Sequence, residues 1–155
     1  MRDVVVFDLD GTLADLTHRL WLIKDVKPNW DSFFDACDKD RIIEHVAKIF
    51  RSLARSANNP IYPRPVIASG RSDIVRDKTC RWLIDGNLMV FGRPPLLYMR
   101  KHGDHRPDYK VKHEMLLDMR DNELNPIMAF DDREQVVKMW RDNGIPCAQV
   151  ADGNF

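Results

Sequence analysis

The sequence predicts an α/β fold, a doubly wound parallel sheet flanked by helices, on three observations. Short apolar runs recur along the chain, helical patterns of ten or more residues lie between them, and three of the runs end in a cluster of polar residues. Val4-Val5-Val6-Phe7 is β-branched and continuous, the mark of a strand buried on both faces. Residues 14–40 interrupt the alternation: Trp21, Trp30, Phe33 and Phe34 flank a Pro28-Asn29 breaker between two short helical patterns. This stretch reads as a small insertion beside the mouth of the sheet, its aromatic rings more often core than platforms for stacking bases. Ile42, Ile43, Val46, Ile49, Phe50 and Leu53 then recur at three-and-four spacing and predict a helix over 41–55.

The second strand is Pro65-Val66-Ile67-Ala68, followed by a helix carrying Val75, Thr79, Trp82 and Leu83. Residues 86–108 are irregular, with Pro94, Pro95 and Pro107 and a short strand at Leu96 to Met99. Val111, Met115, Leu116 and Met119 form the next helix, stopped at Asp121-Asn122. A strand at Pro126 to Phe130, a helix over Val136 to Trp140 stopped by Asn143-Gly144, and a strand at Pro146 to Val150 complete a single domain, 1–155. Right-handed crossovers join parallel neighbours in such a sheet.

The composition agrees. At 155 residues, 44% hydrophobic and 31% charged, the chain can bury roughly two thirds of its unfolded surface and needs no disulfide or metal staple. Lys plus Arg equals Asp plus Glu at 24 each, so there is no broad cationic face for coating duplex, although a local anion site is allowed. Cys37, Cys80 and Cys147 are odd in number and widely spaced, which predicts three reduced thiols in a cytoplasmic chain. Asp8 and Asp10 break the first apolar run at once, so no signal peptide is expected, and no run approaches the length of a membrane span.

The chemistry lies after the strands. The first ends in Asp8-Leu9-Asp10-Gly11-Thr12, the second in Ser69-Gly70-Arg71, the third in Asp131-Asp132-Arg133. Ligands of open parallel sheets bind outside the carboxyl ends of the strands, so these clusters converge on one crevice. Positions i and i+2 of an extended segment face alike, which pairs Asp8 with Asp10 and turns Leu9 into the core. Two like charges about 4 Å apart cost roughly 4 kcal/mol at an effective dielectric near 20, so four carboxylates in one crevice call for a divalent cation. Hard oxygen donors select Mg²⁺, and Ser69, the amides after it, and Arg71 or Lys112 can hold a phosphate. Phosphoryl transfer follows from the residues alone.

In this order and spacing, Asp-Leu-Asp-Gly-Thr-Leu (8–13), Ser69-Gly-Arg, Lys112 and Asp131-Asp132 resemble the four motifs of the haloacid dehalogenase superfamily of phosphatases. The stretch from Ala129 through Phe155, the segment Gly103 to Lys112 with Asp108 four residues before the lysine, and Arg19 are similar to the phosphatase half of the phage polynucleotide kinase/phosphatase family. The resemblance implies a doubly wound fold with a small cap after the first strand, and a 3′-phosphatase of nucleic acid ends. It implies that Asp8 is a nucleophile forming an aspartyl-phosphate and Asp10 the acid and base. It implies that Mg²⁺ is held by Asp8, the main-chain carbonyl of Asp10 and Asp132, with Asp131 nearby. Thr12 and Ser69, followed by Gly70, would bond the phosphoryl group, Lys112 would neutralise it, and Arg19, Arg71 and Asp108 occupy positions used for phosphate and active-site organisation.

No Gly-Lys dipeptide occurs, so no kinase phosphate loop is expected, and a separate kinase or ligase becomes the implied partner. Lys110 competes with Lys112 for the motif role, and spacing from Asp108 favours Lys112. His102, Asp104, His105 and His113 match no strong zinc pattern. Arg100, Lys101, Arg106, Lys110 and Lys112 against Asp104 and Asp108 leave a local excess of three positive charges that could receive a polyanion. Two other functions stand beside the 3′-phosphatase: a phosphatase of free nucleotides or other small esters, and a catalytically silent partner subunit. The oligomeric state is open.

Overall fold

The structure, a computed structural model, describes residues 1–24, 26–89 and 96–153. Pro94, Pro95 and the closing Asn154-Phe155 lie outside these. Five parallel strands form the central sheet, in the order β5, β4, β1, β6, β7: β1 (Arg2–Phe7), β4 (Arg64–Ser72), β5 (Leu96–Arg100), β6 (Leu124–Asp131) and β7 (Cys147–Gln149). The helices between them are α2 (Glu44–Ser56), α3 (Arg76–Asp85), α4 (Asp108–Asp121) and α5 (Glu134–Asp142).

Alternation along β1 decides the layers. Val4 and Val6 join one buried cluster with Val111, Met115 and Leu116 of α4 and Val136, Val137 and Trp140 of α5. Val5 and Phe7 join another with Val46, Ala47 and Phe50 of α2 and Trp82 and Leu83 of α3. Helices therefore cover both faces, which is why every residue from Val4 to Phe7 is apolar. Phe7 stacks on Phe130 of β6 at 4.8 Å between ring centres and meets Phe50 edge-on at 5.1 Å. The stops work as expected: Asn143 caps α5 and Gly144 takes φ +80°, while Asn122 caps α4 ahead of Glu123 at φ +58°.

The insertion is clipped at its two ends by a short antiparallel pair, β2 (Ala14–Asp15) with β3 (Arg41–Ile42). Between them lie a 3-10 turn (Thr17–Leu22), α1 (Trp30–Asp35) and a second 3-10 turn (Ala36–Lys39). Asn29 caps α1 through its side chain, accepting from the Ser32 amide at 3.0 Å. The reading of all four aromatic residues as core needs correction: Phe33 is buried, but Trp21 is 70% exposed and Trp30 47% exposed. Only one face of so short an insertion meets the sheet, so its larger rings stay at the surface.

The three cysteines are unpaired thiols. Burial pushes Cys147 up to about 12 and raises Cys37 and the half-buried Cys80 as well. Iodoacetamide at neutral pH should therefore modify Cys80 first, and Cys37 and Cys147 only after unfolding, as read by intact mass. Equal labelling of all three in the folded state would contradict this packing. Among the described residues, no helix is long and apolar enough to cross a membrane.

Candidate active site

Because β1, β4 and β6 run the same way, their polar ends meet on one rim. The Asp8 amide donates to the Phe130 carbonyl at 3.0 Å, tying the end of β1 to β6. The chain then turns over the buried Leu9, whose carbonyl accepts from the amides of Thr12, Leu13 and Ala14 at 3.1, 2.9 and 2.8 Å. Gly11 sits at φ +91°, and a Cβ there would lie 2.2 Å from Asp132 Oδ2. Both the backbone conformation and the close approach exclude a side chain.

Two buried ionic groups divide the site. In the first, Lys112 Nζ donates to Asp8 Oδ1 at 2.7 Å and Asp131 Oδ2 at 2.9 Å, and lies 3.5 Å from Asp108 Oδ2. One oxygen from each of Asp8, Asp131 and Asp132 lies within 4.8 Å of the others. A single ammonium thus faces three clustered carboxylates. Burial raises the Asp8 carboxyl well above its ordinary value, and Asp131, Asp132 and Asp108 add to this against the pull of Lys112. Burial and Asp131 push Asp132 up to about 6. Burial alone would lower Lys112, but Asp131, Asp8 and Asp108 outweigh it and keep the ammonium charged.

Thr12 Oγ1 and Asp132 Oδ1 are buried with no hydrogen-bond partner. Each such orphan costs about 1–3 kcal/mol unless a ligand satisfies it. Oxygen donors only, a deficit of positive charge and two unsatisfied oxygens fit a small hard divalent cation such as Mg²⁺ with a phosphate oxygen beside it. The Asp10 carboxylate is not part of this cluster.

In the second group, Asp10 Oδ1 accepts from Arg19 Nη2 at 2.7 Å and from Arg71 Nε and Nη2 at 2.8 and 2.6 Å. Behind them Asp40 accepts from Arg19 Nε and Nη2 at 2.7 and 2.6 Å, and from Arg71 Nη2 at 2.5 Å. His18 Nε2 lies 2.9 Å from Asp40 Oδ1. Arg19 also donates to the Phe33 carbonyl at 3.1 Å, its guanidinium 4.1 Å over the Phe33 ring. Both arginines are wholly buried. They hold Asp10 and do not project into the crevice, so neither is placed as a phosphate ligand. Burial would raise Asp10, but Arg71 and Arg19 outweigh it and hold the carboxyl below its ordinary value.

Asp40 is absent from the sequence-based set of site residues. Its need was implicit, because two buried guanidinium groups against Asp10 alone leave a full charge uncompensated. Nothing in the sequence says which acid supplies it.

Ser69, Gly70 and Arg71 lie within β4, at a register shift against β5 between Ser69 and Ser72, and do not follow the strand as expected. Their side chains and hydrogen bonds explain the longer strand. Ser69 Oγ accepts from the Arg71 amide at 3.1 Å, and Arg100 Nε donates to the Gly70 carbonyl at 2.9 Å. The Arg71 amide is therefore occupied. Asp108, at the start of α4, packs on Gly70 so closely that a Cβ would come within 2.4 Å of its Oδ1, the atom that also accepts from Arg100 Nη2 at 3.0 Å. Arg100 is a second residue the motifs did not single out.

Lys112, on the buried face of α4, reaches the carboxylates, and Lys110 is exposed away from them. Among the described residues the one group of His, Cys, Asp or Glu close enough to share an ion is Asp8, Asp131 and Asp132. Asp104 and Asp108 are already counted in the excess of three positive charges expected in the 100–112 stretch, and Glu114, Asp8 and Asp131 from outside that count offset it further. Arg100 pairs with Asp108, Arg106 with Asp104 and Glu114, and Lys112 with Asp8 and Asp131. The crevice above is open and large, 1330 Å³, running from Asp8 and Asp10 between α1 and the 100–108 loop.

Comparison with known proteins decides the family. The polynucleotide kinase PNKP phosphatase domain matches residues 2–155. The chain belongs to this family. A protein of Autographa californica nuclear polyhedrosis virus named as a bifunctional polynucleotide kinase/RNA ligase is 33% identical over 147 residues, 92% of this chain and 18% of that protein. A solved Pnkp1/Rnl/Hen1 complex superposes with a TM-score of 0.79 at 28% identity, over 100% of this chain and 47% of the matched chain. A haloacid dehalogenase-like hydrolase of Streptococcus pneumoniae shares the fold, with a TM-score of 0.58 at 15% identity over 94% of this chain and 83% of that one. This member of the PNKP phosphatase family thus spans less than a fifth of the viral relative and under half of the chain in the complex.

Proposed function

We propose that this PNKP phosphatase-family domain is a Mg²⁺-dependent phosphomonoesterase that removes 3′-phosphates from nucleic acid ends through an aspartyl-phosphate on Asp8. The observation that carries the reading is Asp8 itself. It is buried, fixed by Lys112, and clustered with Asp131 and with Asp132, whose Oδ1 is unpaired. Asp8 attacks phosphorus as the bond to the leaving alcohol breaks, and that alcohol oxygen takes a proton from Asp10. Asp10 then takes a proton from water, whose oxygen attacks the same phosphorus and releases Asp8 and inorganic phosphate. Arg19 and Arg71 aim Asp10 at this place, and the negative charge of a seated phosphoryl group raises its proton affinity against theirs. Lys112 neutralises Asp8 and the phosphoryl oxygens. Bound at Asp8, Asp131 and Asp132, Mg²⁺ would offset the remaining negative charge.

The internal pairing of Arg100, Arg106 and Lys112 leaves few cations for a polymer, and this favours either a single phosphorylated end or a mononucleotide over a long bound tract. Efficiency on a 3′-phosphorylated oligonucleotide is expected to exceed that on nucleoside 3′- and 5′-monophosphates. Equal or better use of mononucleotides would favour the nucleotidase reading. With so few free cations, the logarithm of KM for the oligonucleotide should rise with log salt at a slope of only about 1–2, at roughly 0.7 per contacted phosphate. A slope near 5, measured between low and moderate salt, would contradict this placement of charge. The kinase and ligase names of the relatives suggest a separate kinase or ligase as partner, testable by adding each purified enzyme and measuring complex formation.

A further inference from the structure

The crevice wall opposite the 100–106 loop is aromatic. Trp30 is half exposed there, with Phe34 stacked beneath it at 5.9 Å between ring centres and Phe33 edge-on at 5.6 Å. The Asn29 cap fixes the start of α1, so the indole sits on a short, anchored helix and not on a free loop. Phe33 and Phe34 also contact each other edge-on at 5.6 Å, closing a three-ring group. The same Phe33 carries the Arg19 guanidinium on its ring and the Arg19 hydrogen bond on its carbonyl. One aromatic group therefore braces the arginine that holds Asp10 and presents a flat apolar surface to the crevice.

Charge divides the walls. Asp31, Asp35 and Asp38 line the crevice with Trp30, as do Asp77 and Asp85 of α3, and against these five acids stand Lys78, paired with Asp35 at 2.6 Å, and Arg81. The facing loop contributes Lys101, His102 and His105, and its acids Asp104 and Asp108 are already bonded to Arg106 and Arg100. A chain of phosphates would be repelled from the first wall and admitted along the second. The aromatic wall suits an uncharged flat ring.

We propose that Trp30 is the platform on which the terminal nucleobase of a 3′-phosphorylated strand stacks, while the sugar-phosphate backbone leaves along Lys101 and His102. This rests on the reading of the site as a phosphatase of nucleic acid ends. It adds a subsite for the base and a direction for the strand. Stacking is tolerant of sequence, because every base has a π-face.

The test compares kcat/KM on two 3′-phosphorylated oligonucleotides in Mg²⁺, one with a terminal base and one ending in an abasic sugar. Wild type is expected to prefer the base-bearing end by about tenfold or more, within the range that base–aromatic stacking supplies. In Trp30→Ala the preference should fall to near one, and Trp30→Phe should retain part of it. An equal loss on both substrates in Trp30→Ala, or an undiminished preference, overturns the platform. If wild type cleaves small esters but neither oligonucleotide, the nucleic-acid reading itself fails, and the platform with it.

Discussion

Asp8→Asn should abolish Mg²⁺-dependent phosphate release while the protein stays folded. The amide removes the nucleophile but keeps nearly the same volume and one acceptor oxygen for Lys112, whose Nζ remains bonded to Asp131. Loss of a covalent nucleophile commonly costs about 10⁴-fold or more in kcat. The fold should tolerate the change, because Asp8 is raised by burial and by neighbouring acids, and an uncharged group relieves that repulsion. The sign follows from linkage: a carboxyl whose folded-state value is raised contributes stability that is lost as pH rises through that value. Asp8→Asn is therefore expected to melt no lower than wild type at pH 7.5 without metal. Residual turnover within about tenfold of wild type would place the nucleophile elsewhere.

Asp40→Ala should damage both stability and activity. Asp40 is the second acid for two wholly buried guanidinium groups, and its removal leaves Arg19 and Arg71 sharing Asp10. Breaking a buried pair by removing one partner costs about 3–5 kcal/mol, because the charge left behind stays buried. Its carbonyl also accepts from Trp82 Nε1 at 2.9 Å, so the backbone should remain anchored while the charge is lost. Urea unfolding measures the stability change. Lys138→Ala, which breaks a pair with Asp142 between two exposed side chains of α5, is the comparison and should leave the unfolding midpoint nearly unchanged. Phosphate release should fall by about 10²-fold or more in Asp40→Ala, since misplacement of a catalytic group by an ångström carries a loss of that order. Equal stability of the two variants would contradict the buried network.

Much of this architecture is legible in the sequence for physical reasons. A strand covered on both faces must be apolar throughout, so Val4 to Phe7 stand out, and the helices that cover the sheet carry three-and-four spacing. Strand-end chemistry is legible too, because Gly11 and Gly70 mark places where Asp132 and Asp108 approach the backbone too closely for any side chain.

What the sequence hides is long-range pairing. Arg19, Arg71 and Asp40 come from separate turns and strands, and nothing local tells that Arg71 turns inward to Asp10 and Asp40. The same blindness made the 100–112 stretch look like a basic patch, when Glu114 and the distant Asp8 and Asp131 also answer its charges. The end of β4 was misplaced because small residues such as Ser69 and Gly70 suggest a turn, whereas the Arg100 side chain bonds the Gly70 carbonyl where the strand continues.

The central claim is that the phosphoryl group passes through Asp8 on its way from a 3′ end to water. Wild-type protein mixed with an excess of oligonucleotide carrying a radiolabelled 3′-phosphate in Mg²⁺, then quenched in acid, tests it directly. Label should be found on the protein, released by hydroxylamine, mapped to the peptide containing Asp8 and absent from Asp8→Asn. Phosphate release at full rate with no label on the protein, or label on a peptide lacking Asp8, would contradict the account.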